Sequence, residues 1–129
     1  MSANVRIITN NPLVAQKYPG FSTLLDLGVA GIFKAARDDI HLGAVIINHP
    51  LSGSIKPNES PYKSLLLSLD RGAVDFKSLE LIEGAVYVLG KLSVRERVLP
   101  PQALEDFGVI DLDLLDSAIK ALPAQYHVN

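Results

Sequence analysis

Ala44-Val45-Ile46-Ile47 carries no polar side chain on either face, so the fold must cover both sides of that segment. A strand within a sheet that has helices on both faces meets this demand, and the run stops at once in Asn48-His49-Pro50, which predicts a central strand. Two further runs have strand length. Val5-Arg6-Ile7-Ile8-Thr9 is β-branched and stops at Thr9-Asn10-Asn11-Pro12, and Leu65-Leu66-Leu67-Ser68-Leu69 is closed by Asp70-Arg71-Gly72. Phe21 to Leu25 is a fourth candidate strand, although Leu24-Leu25-Asp26-Leu27 also suits the start of a helix.

Helix-period stretches lie between these runs. Pro12 to Lys17 forms about two turns before Tyr18-Pro19-Gly20. Ile32, Ala35, Ala36 and Ile40 share a face that closes at His41-Leu42-Gly43, while Asp38-Asp39 reads as a solvated face. Asp75 suits the cap of a third helix with a stripe of Leu79, Ile82, Val86 and Leu89, widened by Leu81, Ala85, Val88 and Leu92. Its Gly84 and Gly90 each cost about 1 kcal/mol relative to Ala inside a helix, which suggests a close neighbour there. Beyond Pro100-Pro101 the reading is a short helix over Gln102 to Phe107 ended by Gly108. A last helix then follows, capped by Asp111 and carrying Leu112, Leu115, Ile119 and Leu122.

Strands alternating with helices predict the α/β class, as a compact three-layer sandwich around a mostly parallel sheet of about four strands. A chain of 129 residues supports one core. The expected organisation is therefore one domain over 1–129. The formal charge of −2 offers no general attraction for nucleic acid or an anionic membrane. There is no basic start followed by an apolar stretch, and no uncharged run long enough to cross a bilayer, so the expectation is a soluble cytoplasmic protein without either partner. The absence of cysteine removes disulfides, thiolate nucleophiles and cysteine-held metal centres. His41, His49 and His127 do not have metal-ligand spacing, so no metal site is expected, and no cofactor is indicated.

Ligands of α/β sheets bind beyond the carboxyl ends of the strands, and the two richest polar clusters, Thr9 to Pro12 and Asn48 to Asn58, both follow strands. Thr9, Asn10 and Asn11 place side-chain oxygens and free N–H groups where a helix begins; a structural cap accounts for one of them. Ser52-Gly53-Ser54-Ile55-Lys56, with Asn58 beyond, holds two hydroxyls, a flexible glycine and an ammonium, the parts of an anion cradle without the spacing of a P-loop. Asn48 and His49 stand at the strand exit, where an imidazole suits acid, base or cation roles near neutral pH. The bland alternatives are a structural histidine and a connection stiffened by Pro50, Pro57 and Pro61. Ordering so long a loop costs on the order of 1 to 2 kcal/mol per residue in backbone entropy, which a ligand can offset.

Residues 1–63 carry six basic and four acidic groups, whereas 64–129 carry six and ten, so the cationic half holds both clusters. The expected site is a small-anion site at Thr9, Asn10, Asn11, Asn48, His49, Ser52, Gly53, Ser54, Lys56 and Asn58. Two alternatives stand beside it. One is a small enzyme acting on a phosphorylated or acylated metabolite, with His49 as acid–base and Ser52 or Ser54 as donor or nucleophile. The other is a protein-binding scaffold that uses the apolar faces of the third and last helices for a homodimer or partner interface. Ser60-Pro61-Tyr62-Lys63 matches Ser-x-x-Lys of penicillin-recognising enzymes by chance, since the companion motifs are missing.

Thr9-Asn10-Asn11-Pro12 together with His49-Pro-Leu-Ser-Gly-Ser-Ile-Lys-Pro-Asn-Glu-Ser-Pro-Tyr-Lys-Ser64 resembles the GrdX family, small proteins encoded beside the glycine, sarcosine and betaine reductases of anaerobic bacteria. The likeness runs from Val5 to Leu92 and includes Arg37-Asp38 and His41-x-Gly43, which implies a family-like core at 1–92 and a helical C-terminal extension at 93–129. The resemblance implies an accessory role in the cytoplasm near amino-acid reductive metabolism, with a protein partner there, and assigns no catalytic residue. The thiol or selenocysteine chemistry of those reductases has no counterpart in a chain without cysteine.

Overall fold

A computed structural model describes residues 3–53, 58–92 and 98–128. The β-branched run becomes β1 (Val5–Thr9), buried at every position but Arg6, and it forms the middle of the sheet. β2 (Ser22–Leu24) runs parallel to it on one side and β3 (Ser64–Ser68) antiparallel on the other, in the order β2-β1-β3. The register sets Ile7 opposite both Ser22 and Leu66.

Alternation along β1 divides the core. Val5 and Ile7 join Leu66 on the face covered by α1 (Pro12–Lys17) and α4 (Pro101–Lys120), through Val14 and Leu115. Ile8 joins Leu65 and Leu67 on the face covered by α2 (Val29–His41) and α3 (Phe76–Lys91), through Ile32, Phe33, Ala36, Ile40, Ile82 and Leu89. The helix starts follow their caps: Asn11 Oδ1 accepts Leu13 N–H, and Asp75 accepts both Ser78 N–H and Ser78 Oγ–H.

The sheet is mixed, and it has three strands where a mostly parallel one of about four is expected. Ala44–Ile47 lies at the outer edge of β3 instead of the centre, with a single antiparallel bridge from Ile46 to Leu67. Ile47 N–H donates to Leu66 O and Ser68 N–H to Val45 O, and side chains take the ladder positions beyond this pair. Val45 N–H donates to Ser68 Oγ, Ile46 N–H to Ser78 Oγ, and Leu66 N–H to Asn48 Oδ1. Ala44 and Ile46 are still buried, so the demand of the apolar run is met by helix cover without a central position.

Three other expectations change. Residues 101–120 form one continuous helix in which Gly108 and Asp111 are buried, so Asp111 caps nothing. Asp39 is buried and ion-paired to Arg71 Nη2 at 2.7 Å and Arg6 Nη1 at 3.7 Å, while Asp38 alone faces solvent. A side chain at Gly84 or Gly90 would meet nothing within 4 Å, so no close neighbour explains them.

The close approach falls at Gly43 instead. Its φ is +115°, and a Cβ there would lie 2.4 Å from Gly72 N and 2.7 Å from the Arg71 carbonyl carbon. Gly72 N–H donates to Leu42 O at 2.9 Å, so the two turns are held together by backbone and cannot yield cheaply. Gly43→Ala is expected to lose about 2–4 kcal/mol in urea unfolding, whereas Gly84→Ala gains about 0.5–1 kcal/mol from helix propensity. An unchanged midpoint in Gly43→Ala would contradict this packing.

Candidate functional site

β1 and β2 end, and antiparallel β3 begins, at the same edge of the sheet. The segments after Thr9, after Leu24, after Ile47 and before Ser64 therefore converge there. Asn10 ties three of them. Its Nδ2 donates to Leu27 O at 2.8 Å and Pro61 O at 2.9 Å, and its Oδ1 accepts Lys63 N–H at 2.9 Å. Asn48 does the same for the fourth, donating to Ser64 O and accepting Leu66 N–H.

Beneath this edge, between the sheet and α4, lies a buried polar chain. Asn11 N–H donates to Thr9 Oγ1 at 2.9 Å, Thr9 Oγ1 and Ser64 Oγ are 2.7 Å apart, and Ser64 Oγ–H donates to Asp111 Oδ2 at 2.7 Å. Because the Ser64 proton points at the carboxylate, Thr9 must supply the proton of the bond between the two hydroxyls. Asn11 Nδ2 donates to Asp111 Oδ2 at 3.0 Å and to Gly108 O at 2.9 Å. Gly108 makes room for this: a Cβ there would stand 3.3 Å from Leu13 Cδ1 and 3.5 Å from Asn11 Oδ1. A second tie from α1 to α4 runs from Lys17 Nζ and Tyr18 Oη to Asp116, and burial together with that carboxylate pushes the Tyr18 phenol up to about 12.

Burial pushes the Asp111 carboxyl up, against the pull of Asn11, Ser64 and the charge of Lys63. Burial pushes the Lys63 ammonium down, opposed by the charge of Asp111. Each group thus pays for leaving water and recovers part of that cost from the other.

Thr9, Asn10, Asn11 and Asn48 are brought together around Lys63 and Ser64, with their side-chain donors spent on protein partners. His49 is exposed, and its Nδ1 accepts Leu51 N–H at 3.0 Å. Ser52 and Gly53 are exposed; Gly53 has φ +102° and lies against Leu114 of α4, away from Asn10. Asn58 is half-buried. Ser54 and Lys56 lie outside the described residues.

What the edge leaves open is a groove of about 460 Å³ lined by Asn10, Pro12, Leu24, Leu25, Asp26, Leu27 and Tyr62. Sequence reading missed Asp26, Tyr62, Ser64, Asp111 and Gly108. The one available signal was Gly108-x-x-Asp111, which sets a bare position and a carboxylate one turn apart on one helix face. Among the described residues no group of His, Asp or Glu is arranged to hold a metal, and no helix is long and apolar enough to cross a membrane.

The network sets a stability test. Asp111→Ala leaves the Asn11 amide and the Ser64 hydroxyl without their acceptor and is expected to cost about 2–4 kcal/mol, whereas Asp111→Asn keeps an acceptor oxygen and costs about 1 kcal/mol or less. A carboxyl raised by folding binds its proton more tightly in the native state, so its contribution is greatest in acid and is lost as pH rises through the folded pKa. The melting temperature of the wild type relative to Asp111→Asn should therefore fall as the pH rises above the ordinary carboxylate range. A difference that grows with pH would reverse the assignment.

No curated protein and no solved structure matches the chain. The family model described as GrdX-like protein matches residues 6–120, which takes in the sheet, the carboxyl-edge groove and the whole of α4. With its polar network and its groove both inside that match, the chain belongs to the GrdX-like protein family.

Proposed function

We propose that this protein is an accessory binding protein that takes a small metabolite at the carboxyl edge of its sheet, in the groove beside Asn10 and Tyr62. The carrying observation is the connection into β3. Ala44–Ile47 runs antiparallel to β3, so a hairpin loop of about two to five residues would join them. The chain instead uses residues 48–63 for this connection, of which Pro61 and Lys63 are tied through Asn10 to the turn after β2. So much surplus chain, tied down at the mouth of a groove, supports a binding role.

The groove volume falls in the usual range for small-molecule sites, about 300–1,000 Å³. An occupant touches Asn10, the Leu24–Leu27 turn and Tyr62 together, so binding bears on all three segments that Asn10 joins. Support comes from the groove itself, since the amides first expected to cradle an anion hold the edge together. Binding is favoured over acid–base catalysis by His49, because His49 is exposed and is not among the residues that line the groove. Membership of the GrdX-like family favours a place beside amino-acid reductive metabolism in the cytoplasm, with a protein partner reading the loaded state.

The test is a ¹⁵N chemical-shift titration of the full chain with glycine, sarcosine, betaine, acetyl phosphate and inorganic phosphate. Saturable shifts at Asn10, Leu24 to Leu27 and Tyr62 are expected for one class, weakened at least about fivefold in Tyr62→Ala, or roughly 1 kcal/mol. Shifts confined to α3 or the outer face of α4 would overturn this reading in favour of a protein-binding surface.

A further inference from the structure

The geometry points to a small organic cation, an alkylammonium of primary to quaternary type, as the occupant of the carboxyl-edge groove; this rests on the groove being the binding site. Among the described residues that line it, Asp26 carries the only charge. Asp26 is exposed in the turn between β2 and α2, so its field reaches any ligand seated there. No Lys, Arg or His is among those lining residues. Lys63 follows Tyr62 in the chain, but its ammonium interacts with Asp111 beneath the edge.

The polar floor disfavours an anion for a second reason. Both N–H bonds of the Asn10 amide are directed at Leu27 O and Pro61 O, which leaves the Tyr62 hydroxyl as the one side-chain donor among the described lining residues. A carboxylate or phosphate there would meet the repulsion of Asp26 with no compensating hydrogen bond from Asn10. A cation meets attraction from Asp26 and, over the ring of Tyr62, from the negative face of an aromatic quadrupole. The rest of the lining is Pro12, Leu24, Leu25 and Leu27, with Leu24 50% and Leu27 46% exposed, so apolar surface is available for the ligand's alkyl groups. A carboxylate, an aromatic ring and leucines in one lining, with no free donor on the Asn10 amide, together fit an ammonium carried on carbon.

The experiment titrates the ¹⁵N-labelled full chain with tetramethylammonium, n-butylammonium, butyrate and n-butanol at equal ionic strength. The two ammonium ions are expected to give saturable shifts at Asp26, Leu27 and Tyr62, with butyrate at least tenfold weaker and butanol between them. Asp26→Asn and Tyr62→Leu should each weaken the cations about three- to tenfold while leaving butanol within twofold, and both variants should melt as the wild type does. Butyrate binding at these residues as tightly as butylammonium overturns the charge assignment and leaves the groove as the site. Equal binding of the cations to wild type and Asp26→Asn overturns it as well. Absence of saturable shifts at the groove with all four probes overturns the groove reading together with this one.

Discussion

The Asp111 carboxylate accepts from Ser64 Oγ at 2.7 Å and from Asn11 Nδ2 at 3.0 Å, and these two bonds join the last helix to the start of β3 and to the cap of α1. The stripe of Leu112, Leu115 and Ile119 beside it repeats with each turn, and apolar packing is not directional, so α4 would bury nearly as much surface if it slipped by one turn. Asp111 forbids the slip. Moved along the sheet, its carboxylate would face Leu66 or Val14 without donors, and an uncompensated buried charge costs several kcal/mol. Gly108 adds a mild steric condition, since a Cβ there would press on Leu13 Cδ1 at 3.3 Å and touch Asn11 Oδ1 at 3.5 Å. The network thus sets where α4 lies, and with it the floor on which the carboxyl edge is built.

The parts of the fold with local signals were legible in the sequence. β1, β3, the cap and first proline of α1, the stripe of α2 and the Asp75 cap of α3 each depend on residues within a turn or a strand of one another. The rest depends on partners far apart in the chain. Ala44–Ile47 has the composition of a central strand, yet the amides of Val45 and Ile46 go to the side chains of Ser68 and Ser78, which no local pattern reveals. Gly108 resembles a helix end and Asp111 a cap because such residues commonly occupy those places, whereas here both serve Asn11, about a hundred residues away. That Asn10 and Asn48 leave their apolar runs at one edge follows from the direction of the runs before them. What their side chains do there was not legible: Asn10 and Asn48 turn inward to carbonyl and amide groups of neighbouring loops, which depends on the direction of β3.

The two ends of the sheet are closed by different chemistry. At the end away from the groove, Asp39 holds Arg71 and Arg6, whose side chains are 46% and 30% exposed, and Asn4 pairs with His127 to bring the chain ends together. Ion pairs so open to solvent weaken with salt. At the carboxyl edge the ties are neutral: the amides of Asn10 and Asn48 bond to backbone groups, and neither partner changes charge over the ordinary pH range. These loop ties therefore hold when salt screens the ion pairs of the other end, while the response of the carboxyl edge to pH is confined to Asp111 and Lys63 beneath it. Among the described lining residues Asp26 carries the one charge, and the Asn10 amide of the same groove is already satisfied by Leu27 O and Pro61 O. On the binding role proposed above, such a groove would sort ligands by the sign of their charge on approach, and by shape against Tyr62 and the leucines afterwards.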